Sequence, residues 1–299
     1  MRLTRTLRRH TTRLLAGTTA VCGAVALIGA AAVPTATDAV TPAASAGATA
    51  AATQALRAYL GHGGTQPGIR VSGAVPSTGA HGLKQVTFSN WSGYADDNST
   101  GKTYTAVSGS WKQPAVTCPK NEDELAVWWV GLDGFSNATV EQDGTMAFCF
   151  KGTPAYYTWW EMFPTNSIQV VGSSVKPGDT IAASVKFASN KYNLTITDST
   201  HAANSFAKSQ TCAAAQPCKR ASAEWIAETP GGSRGLWPWP SFGTWSLTNA
   251  SATAGTAGAI STFPDNEITI TGNDGEHLAN TGALTGGGKA FNVTWAYVF

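Results

Sequence analysis

The stretch Tyr192-Asn-Leu-Thr-Ile196 alternates apolar and polar side chains. The same alternation recurs at Ile268 and Ile270, and again from Val293 to Tyr297. Successive side chains of a strand point to opposite faces, so this pattern predicts strands that are buried on one side. Turn-forming residues separate the alternating runs, as in Lys176-Pro-Gly-Asp179. The sequence therefore predicts an all-β domain, either a β-sandwich or a β-barrel.

The distribution of charge divides the chain near residue 85. Residues 1–84 contain 8 of the 20 Lys and Arg but only 1 of the 18 Asp and Glu. The remainder therefore has 12 basic and 17 acidic residues, a net charge of −5, and it contains all 11 Trp. A nucleic-acid-binding domain needs a basic surface, so no nucleic-acid partner is expected. An acidic body rich in Trp is typical of an extracellular protein that binds polymers or works at low pH.

The N-terminus has the pattern of an export signal. Residues 1–13 contain five Arg and no acid, and an apolar run rich in Ala and Gly follows from Leu14 to Val33. This order of basic and apolar regions, ending in small residues, predicts a signal peptide over residues 1–39 and a secreted, extracellular protein. The alternative is an uncleaved membrane anchor, because the run approaches spanning length. We expect no stable membrane association.

Residues 40–85 are rich in Ala, Thr, Gly and Pro and contain no acidic residue. Thr49 to Leu60 can form a short helix, but the segment is too polar and too small to build a core. Two interpretations remain open: a passive linker, or a propeptide that is removed or displaced on activation. In the second, Arg57, Arg70 and Lys84 could pair with an acidic cleft. The folded domain is predicted to span residues 86–299.

Four cysteines remain after the predicted signal peptide: Cys118, Cys149, Cys212 and Cys218. An even number of cysteines in an exported protein predicts two disulfides. Three pairings are possible. The simplest is local, joining Cys118 to Cys149 and Cys212 to Cys218.

The sequence lacks the residue patterns that several common hydrolase mechanisms require. The Gly-x-Ser-x-Gly string around Ser233 is not a nucleophile elbow, because Pro230 precedes it and the proline-rich run Leu236–Pro240 excludes a following helix. No His-Glu-x-x-His occurs, and His201 and His277 are not at ligand spacing. We therefore expect no metal and no other cofactor. Carboxylates, amides and tryptophans remain as the candidate chemistry.

Three strand-like segments combine aromatic and acidic side chains: Leu125–Asp133, Tyr157–Phe163 and Ser222–Glu228. Residues two apart share a face of a strand. The shared faces are Trp129 with Asp133; Tyr157 and Trp159 with Glu161 and Phe163; and Glu224 and Ile226 with Glu228. Each face alone is typical of a solvated surface, but carboxylates are rarely buried without a partner, and three such faces together indicate a lined cleft.

Residues 88–299 resemble a known family, the glutamic peptidases or eqolisins. Five segments carry the resemblance, in the family's order and spacing: Asn90-Trp-Ser-Gly-Tyr94, Trp129-Val-Gly-Leu-Asp133, Trp159-Trp-Glu-Met-Phe-Pro164, Ala223-Glu-Trp-Ile-Ala-Glu228 and Phe242–Thr253. The resemblance implies a two-sheet antiparallel β-sandwich of the concanavalin A-like or jelly-roll type, with a cleft on a concave face. It also implies a monomeric endopeptidase that acts on polypeptides without a cofactor.

The family's catalytic pair corresponds to Gln142 and Glu228, whereas Glu224 corresponds to its non-catalytic first glutamate. The residues expected to bind substrate are Trp91, Trp129, Asp133, Trp159 and Glu161. Glu228 would activate a water molecule and Gln142 would stabilise the oxyanion. Since clustered carboxylates titrate as a set, Asp133, Glu161 and Glu228 would share a proton, which predicts an optimum below about pH 5.

The sequence departs from the family pattern at three places. Asp133 and Gln142 are nine positions apart, one fewer than the resemblance leads us to expect. Glu141 and Asp143 flank Gln142, and these added acids could change the local field and the pH optimum. Phe163 replaces a usual Tyr and removes a hydroxyl from the cleft. Two other functions stay open: a glycoside hydrolase that uses Glu161 and Glu228 as its carboxylate pair, and a non-catalytic carbohydrate-binding protein.

Overall fold

A computed structural model describes residues 46–60, 67–71, 74, 76–98, 101–232, 235–272 and 276–296. All of them belong to one unit, Asp38–Phe299. The predicted signal peptide, residues 1–39, lies outside the described residues. Among the helices of the described part, none is long and apolar enough to cross a membrane.

Strands make up most of the described chain. It contains one α-helix, α1 (Ala46–Leu60), and two single-turn 3₁₀ helices, Ala202–Asn204 and Ile260–Thr262. The strands are β1 (Ser77–Thr78), β2 (Lys84–Phe88), β3 (Trp91–Asp97), β4 (Ala106–Lys112), β5 (Glu124–Leu132), β6 (Val140–Phe150), β7 (Thr153–Phe163), β8 (Asn166–Gly172), β9 (Thr180–Ala188), β10 (Lys191–Asp198), β11 (Phe206–Gln210), β12 (Ser222–Glu228), β13 (Gly231–Gly232), β14 (Gly235–Leu236), β15 (Thr244–Ala254), β16 (Thr256–Gly258), β17 (Asp265–Thr271), β18 (His277–Thr281) and β19 (Phe291–Trp295).

The front sheet has the order β8-β7-β6-β5-β12-β3-β17-β2-β1. Its central strand, β12, pairs antiparallel with β3 on one side and β5 on the other. All neighbours are antiparallel except β17 and β2. That pair is parallel because the chain reverses between β2 and β3, and β17 inserts between them, antiparallel to β3. The three strand-like segments found in the sequence are β5, β7 and β12.

The back sheet has the order β11-β10-β9-β4-β15-β19-β18, with β16 as a hairpin on β15. β17 pairs with β18 through Ile270 and Ala279, which joins the two sheets along one edge. The predicted antiparallel β-sandwich is thus confirmed, and of the two all-β architectures the sandwich is the one observed.

Alternate residues of each strand fill the space between the sheets. Trp128, Trp225 and Trp245 are completely buried there. The indole N–H of Trp225 donates to the Ser108 carbonyl oxygen at 2.8 Å, so this polar atom is not left unsatisfied. Burying a large apolar side chain contributes about 1.5–3 kcal/mol, which makes this inter-sheet core the main source of stability.

The opposite face of the front sheet, called here the cleft face, is covered by α1. Ala52, Leu56 and Leu60 recur every fourth residue, lie on one side of the helix and are buried against this face. The sequence predicts a helix from Thr49 to Leu60, and the structure confirms it with a start at Ala46. Both faces of the front sheet are therefore buried.

The simplest disulfide pairing is the one found. Cys118–Cys149 ties the loop before β5 to the end of β6, with a Cα–Cα distance of 5.4 Å. Cys212–Cys218 closes the loop between β11 and β12, with a Cα–Cα distance of 5.9 Å. Two disulfides fit a protein of an oxidising, extracellular compartment.

Candidate active site

The cleft face brings together six of the seven residues predicted for the site: Trp91, Trp129, Gln142, Trp159, Glu161 and Glu228. They lie on neighbouring strands. Gln142 of β6 stands opposite Glu161 of β7, and Glu228 of β12 stands opposite Trp91 of β3. All six side chains are fully buried.

Two hydrogen bonds orient the acidic and amide groups of this face. The indole N–H of Trp129 donates to Oε2 of Glu228 at 2.8 Å. The side-chain amide of Gln142 donates to Oε2 of Glu161 at 2.9 Å. Each candidate catalytic residue is therefore held by a predicted cleft residue, which is the arrangement a preorganised site requires.

Two glycines make room for the Trp129 indole. A β-carbon at Gly131 would lie 2.8 Å from the Trp129 ring, and one at Gly144 would lie 2.1 Å from the Trp128 carbonyl oxygen. Neither position accepts a larger residue without backbone movement. Sequence reasoning did not assign these glycines to the site; the signal was a glycine inside an otherwise apolar strand.

The electrostatic environment favours a protonated Glu161. Burial raises its pKa well above the ordinary value, the charge of Glu228 raises it further, and the hydrogen bond from Gln142 lowers it in part. Both groups lie on the cleft face, so the charge of Glu228 acts on Glu161 in the same direction as burial does.

Asp133 lies elsewhere, at the end of β5, with φ at 70°. Its Oδ2 accepts the backbone N–H groups of Lys219 and Arg220 at 2.8 and 2.7 Å, and its Oδ1 accepts those of Ala221 and the Asn137 amide, both at 2.7 Å. The carboxylate thus anchors the segment after the second disulfide. Of the three acids predicted to share a proton, Glu161 and Glu228 lie on the cleft face, whereas Asp133 forms this anchor.

The side chains of Glu141 and Asp143, which flank Gln142 in the chain, point away from the cleft face. Glu141 and Asp143 are on the opposite face of β6, because side chains alternate along a strand. Burial raises the pKa of both carboxyl groups well above the ordinary value. Both carboxyl groups lie between the two sheets, so we expect their ionisation to affect mainly the stability of the fold.

Comparison with known proteins identifies the family. A family model described as the peptidase A4 family matches residues 89–295, the larger part of the chain. The chain belongs to this family. The A4 match confirms the resemblance drawn from the motifs, and it does not favour the glycoside hydrolase or carbohydrate-binding alternatives.

The A4 relatives include proteins of known sequence and structure. Aspergillopepsin-2 from Aspergillus niger is 27% identical over 193 residues, a match that covers 56% of this chain and 65% of that protein. The chain therefore matches slightly less than two thirds of this relative's length. Scytalido-glutamic peptidase, solved with a transition state analog inhibitor, is 21% identical with a TM-score of 0.58, over 70% of this chain and 98% of that one. Aspergilloglutamic peptidase from Aspergillus niger is 25% identical with a TM-score of 0.50, over 58% and 99%.

A loop containing β13 and β14 follows Glu228 and borders the candidate site. It carries two tryptophans, Trp237 and Trp239, whose apolar rings could either close over a peptide as a flap or fill space as a static plug. Trp237 contacts Tyr59 of α1 and Phe148, with ring centroids 5.0 and 6.2 Å apart. Trp239 is buried against Phe242 at 5.0 Å, as a plug would be.

Helix α1 reaches the cleft face through polar contacts as well. Thr53 Oγ1 donates to the Tyr157 hydroxyl at 3.2 Å, and the Tyr59 hydroxyl donates to Asp123 Oδ2 at 3.2 Å. Tyr157 lies on the same strand and face as Glu161, four residues away and opposite Met146, so the helix packs on the same sheet surface that holds the candidate site.

One group of possible metal ligands lies outside the site, formed by Asp179, Asp198 and His201. Asp198 Oδ1 accepts the backbone N–H groups of Thr200 and His201, and Asp179 contacts His201 Nδ1 at 2.8 Å. These bonds stabilise a turn and use the oxygens that a metal would need. A second group includes Cys212 and Cys218, whose sulfurs form the disulfide.

Proposed function

We propose that the protein is a secreted endopeptidase that hydrolyses peptide bonds in acid, with Glu228 as general base and acid and Gln142 as oxyanion donor. The supporting observation is that Glu228 and Gln142 share one buried face, each oriented by a hydrogen bond to a neighbouring side chain. Membership of the peptidase A4 family agrees with this activity.

Glu228 carries the proton in this mechanism. Its carboxylate takes a proton from a water molecule as the water oxygen attacks the scissile carbonyl carbon. It then gives the proton to the leaving nitrogen as the C–N bond breaks. One carboxyl group serves both steps because the base and the acid act in sequence. Trp129 donates to Oε2 and so fixes the orientation of the carboxylate that faces the attacking water in this proposal.

Gln142 stabilises the charge that develops on the carbonyl oxygen. A primary amide has two N–H donors. Glu161 accepts an N–H of this amide and fixes its plane, and we propose that the amide donates to the oxyanion in the transition state. A neutral donor suits this task because it needs no change of protonation during the reaction.

The pH dependence follows from the pair Glu161 and Glu228. Activity requires an ionised Glu228, so it should rise as that group loses its proton. Glu161, whose pKa is raised by burial and by the Glu228 charge, should remain protonated at that point. At higher pH the ionisation of Glu161 would place a second charge beside the base. Both ionisations belong to carboxyl groups, and we keep the expectation from the sequence of an optimum below about pH 5.

The leader, residues 40–85, acts in this proposal as a propeptide rather than a passive linker. Helix α1 covers the cleft face, where Leu56 is fully buried and Thr53 bonds to Tyr157. A polypeptide substrate would need the same surface. Residues 86–299 then form the catalytic domain, which we propose to act as a monomer.

The test is an acid protease assay on the full chain expressed in an exporting host. Hydrolysis of denatured protein is followed from pH 2 to 8, with a pepstatin-type inhibitor and a chelator present. We expect activity in the wild type and none in Glu228→Gln. The matched control is Glu224→Gln, which changes the other glutamate of the same strand and face. Equal activity in Glu228→Gln and wild type would remove Glu228 from the chemistry.

A further inference from the structure

We propose that a groove between residues 87–90 and residues 134–135 is a peptide-binding subsite with a slot for a basic side chain. Residues 67–71 of the leader fill it in this chain, and a substrate takes their place once the leader is gone. The inference rests on the proposed peptidase function and adds a sequence preference to it.

The backbone of the leader segment is bound on both sides. The Ser89 N–H donates to the Ile69 carbonyl oxygen at 2.8 Å, and the Val71 N–H donates to the Thr87 carbonyl oxygen at 3.1 Å. On the other side, the Gly68 N–H donates to the Gly134 carbonyl oxygen at 3.1 Å. The segment is therefore held as an added strand, a mode in which main-chain bonds give affinity for any extended peptide.

The side chain of Asn90 forms hydrogen bonds with the backbone of the same leader segment. Its Oδ1 accepts the Ile69 N–H at 2.8 Å, and its Nδ2 donates to the Pro67 carbonyl oxygen at 3.4 Å. Asn90 is completely buried. Leaving these amide atoms without partners is costly, so a replacement peptide backbone would be favoured after the leader leaves.

The slot lies between two aromatic rings. The guanidinium carbon of Arg70 is 4.9 Å from the Phe88 ring centroid and 4.7 Å from the Phe135 centroid. Its Nη2 also donates to the Phe135 carbonyl oxygen at 3.4 Å. A planar cation is attracted by both ring faces and by the carbonyl, so the slot selects arginine.

The groove begins at the candidate catalytic residues. The Asn90 carbonyl oxygen accepts the N–H of Thr229, the residue after Glu228, and Trp91 stands opposite Glu228. A β-carbon on Gly68 would lie 3.0 Å from the Phe88 ring and 3.1 Å from the Trp91 ring. The subsite therefore prefers glycine two positions before arginine. The scissile bond should lie on the amino side of that glycine.

The first experiment follows cleavage by the secreted protein after acid incubation. Mass spectrometry gives the N-terminus of the active form, which should lie beyond Val71. Peptides containing Gly-Ile-Arg-Val are compared with Gly-Ile-Leu-Val peptides. We expect a kcat/KM ratio of about 5 to 10 in favour of arginine, as two ring contacts predict. Phe135→Ala should bring the ratio close to 1.

The control is Phe187→Ala, since Phe187 also has a guanidinium, that of Arg220, 4.1 Å from its ring centroid, but lies on the back sheet. It should leave the ratio unchanged. An active form that retains residues 67–71, equal rates for both peptides, or an unchanged ratio in Phe135→Ala would each overturn the subsite and leave the peptidase proposal intact.

The second experiment needs no catalysis. In the full chain, Arg70→Ala should raise amide hydrogen exchange at Ile69 and Val71 about fivefold, because the cation–π contacts are lost. Exchange within twofold of wild type would overturn the slot whatever the activity. Raised exchange in a protein that hydrolyses no peptide would support the slot and contradict the proposed function.

Discussion

The two faces of the front sheet bury the same kinds of side chain for different purposes. On the cleft face, Glu228 and Glu161 each accept a hydrogen bond from a side-chain N–H, and helix α1 packs on the same face. On the inter-sheet face, Asp96 and Asp143 are buried by a permanent layer, and neither oxygen of Asp96 has a hydrogen-bond partner among the described residues. Acidic side chains that are oriented by hydrogen bonds are suited to catalysis. Buried acidic side chains without such bonds make the stability of the fold depend on pH.

The largest expected effect comes from comparing substitutions at Gln142 and Asp143, two adjacent residues of β6 whose side chains lie on opposite faces of the front sheet. Gln142→Ala removes the proposed oxyanion donor, and the loss of one such donor costs about 100- to 1000-fold in kcat. Steady-state kinetics at the optimum pH measures the loss.

The matched control for that variant is Asp143→Asn, one residue away on the opposite face. It should keep its kcat within about threefold, because Asp143 lies far from the reacting atoms in the direction of its side chain. A comparable loss of activity in both variants would show that the cleft face and the inter-sheet face of β6 do not differ in their importance for catalysis. The contrast between the two faces would then fail.

The next effect concerns the cover of the cleft face. Leu56→Ala truncates a fully buried side chain of α1, and such changes cost about 2–5 kcal/mol when the contact is lost. The helix should leave more readily, with activation after acidification at least about 30-fold faster. Gln54→Ala, at an exposed position of the same helix, is the control. Equal activation times would mean that α1 does not limit access.

A smaller effect tests how Glu228 is oriented. Trp129→Phe removes the indole N–H, and a hydrogen bond to a charged group contributes about 1.5–3 kcal/mol, so kcat/KM should fall about tenfold or more. Because that bond favours the ionised carboxylate, the acid limb of the pH profile should move to higher pH. Trp159→Phe should not move the limb, since the Trp159 Nε1 has no hydrogen-bond partner among the described residues. An unmoved limb in Trp129→Phe would make Trp129 a packing residue only.

Much of this architecture was predictable from local sequence. Period-two alternation indicated the strands that became β5, β7 and β12, and the spacing of Cys118, Cys149, Cys212 and Cys218 favoured the observed disulfides. Alternation also placed Glu228 on the face of Glu224. These features depend on residues near one another in the chain, where backbone geometry dictates the outcome.

Other features depend on contacts between distant residues. The period-two rule placed Asp133 with Trp129, but Asp133 has a positive φ at the end of the strand and binds backbone N–H groups of residues 219–221. The same rule, applied to Gln142, would have shown that Glu141 and Asp143 face away from the cleft. The docking of α1 on the cleft face had no local signal, because amphipathic spacing shows that a helix has an apolar side but not what it covers.

The smallest predicted effect concerns Asp143 and the pH dependence of stability. Burial raises its pKa well above the ordinary value, and neither of its carboxyl oxygens has a hydrogen-bond partner among the described residues. The folded state thus binds the proton more tightly than the unfolded chain does. This contribution to stability is complete below the unfolded pKa, near 4, and is lost as the pH rises through the folded pKa.

Asp143→Asn removes the ionisation and should raise the melting temperature at pH 7 by about 3 °C or more while leaving it nearly unchanged at pH 3. Differential scanning calorimetry at both pH values provides the measurement. Asp198→Asn should behave differently, because the Asp198 carboxylate accepts bonds from Thr200, His201 and Asn204; its loss should lower the melting temperature at pH 7. A lower melting temperature for Asp143→Asn at pH 7 would mean that its carboxylate is stabilised as an ion. The inter-sheet face would then hold its acids as the cleft face does, and the contrast between the faces would fail.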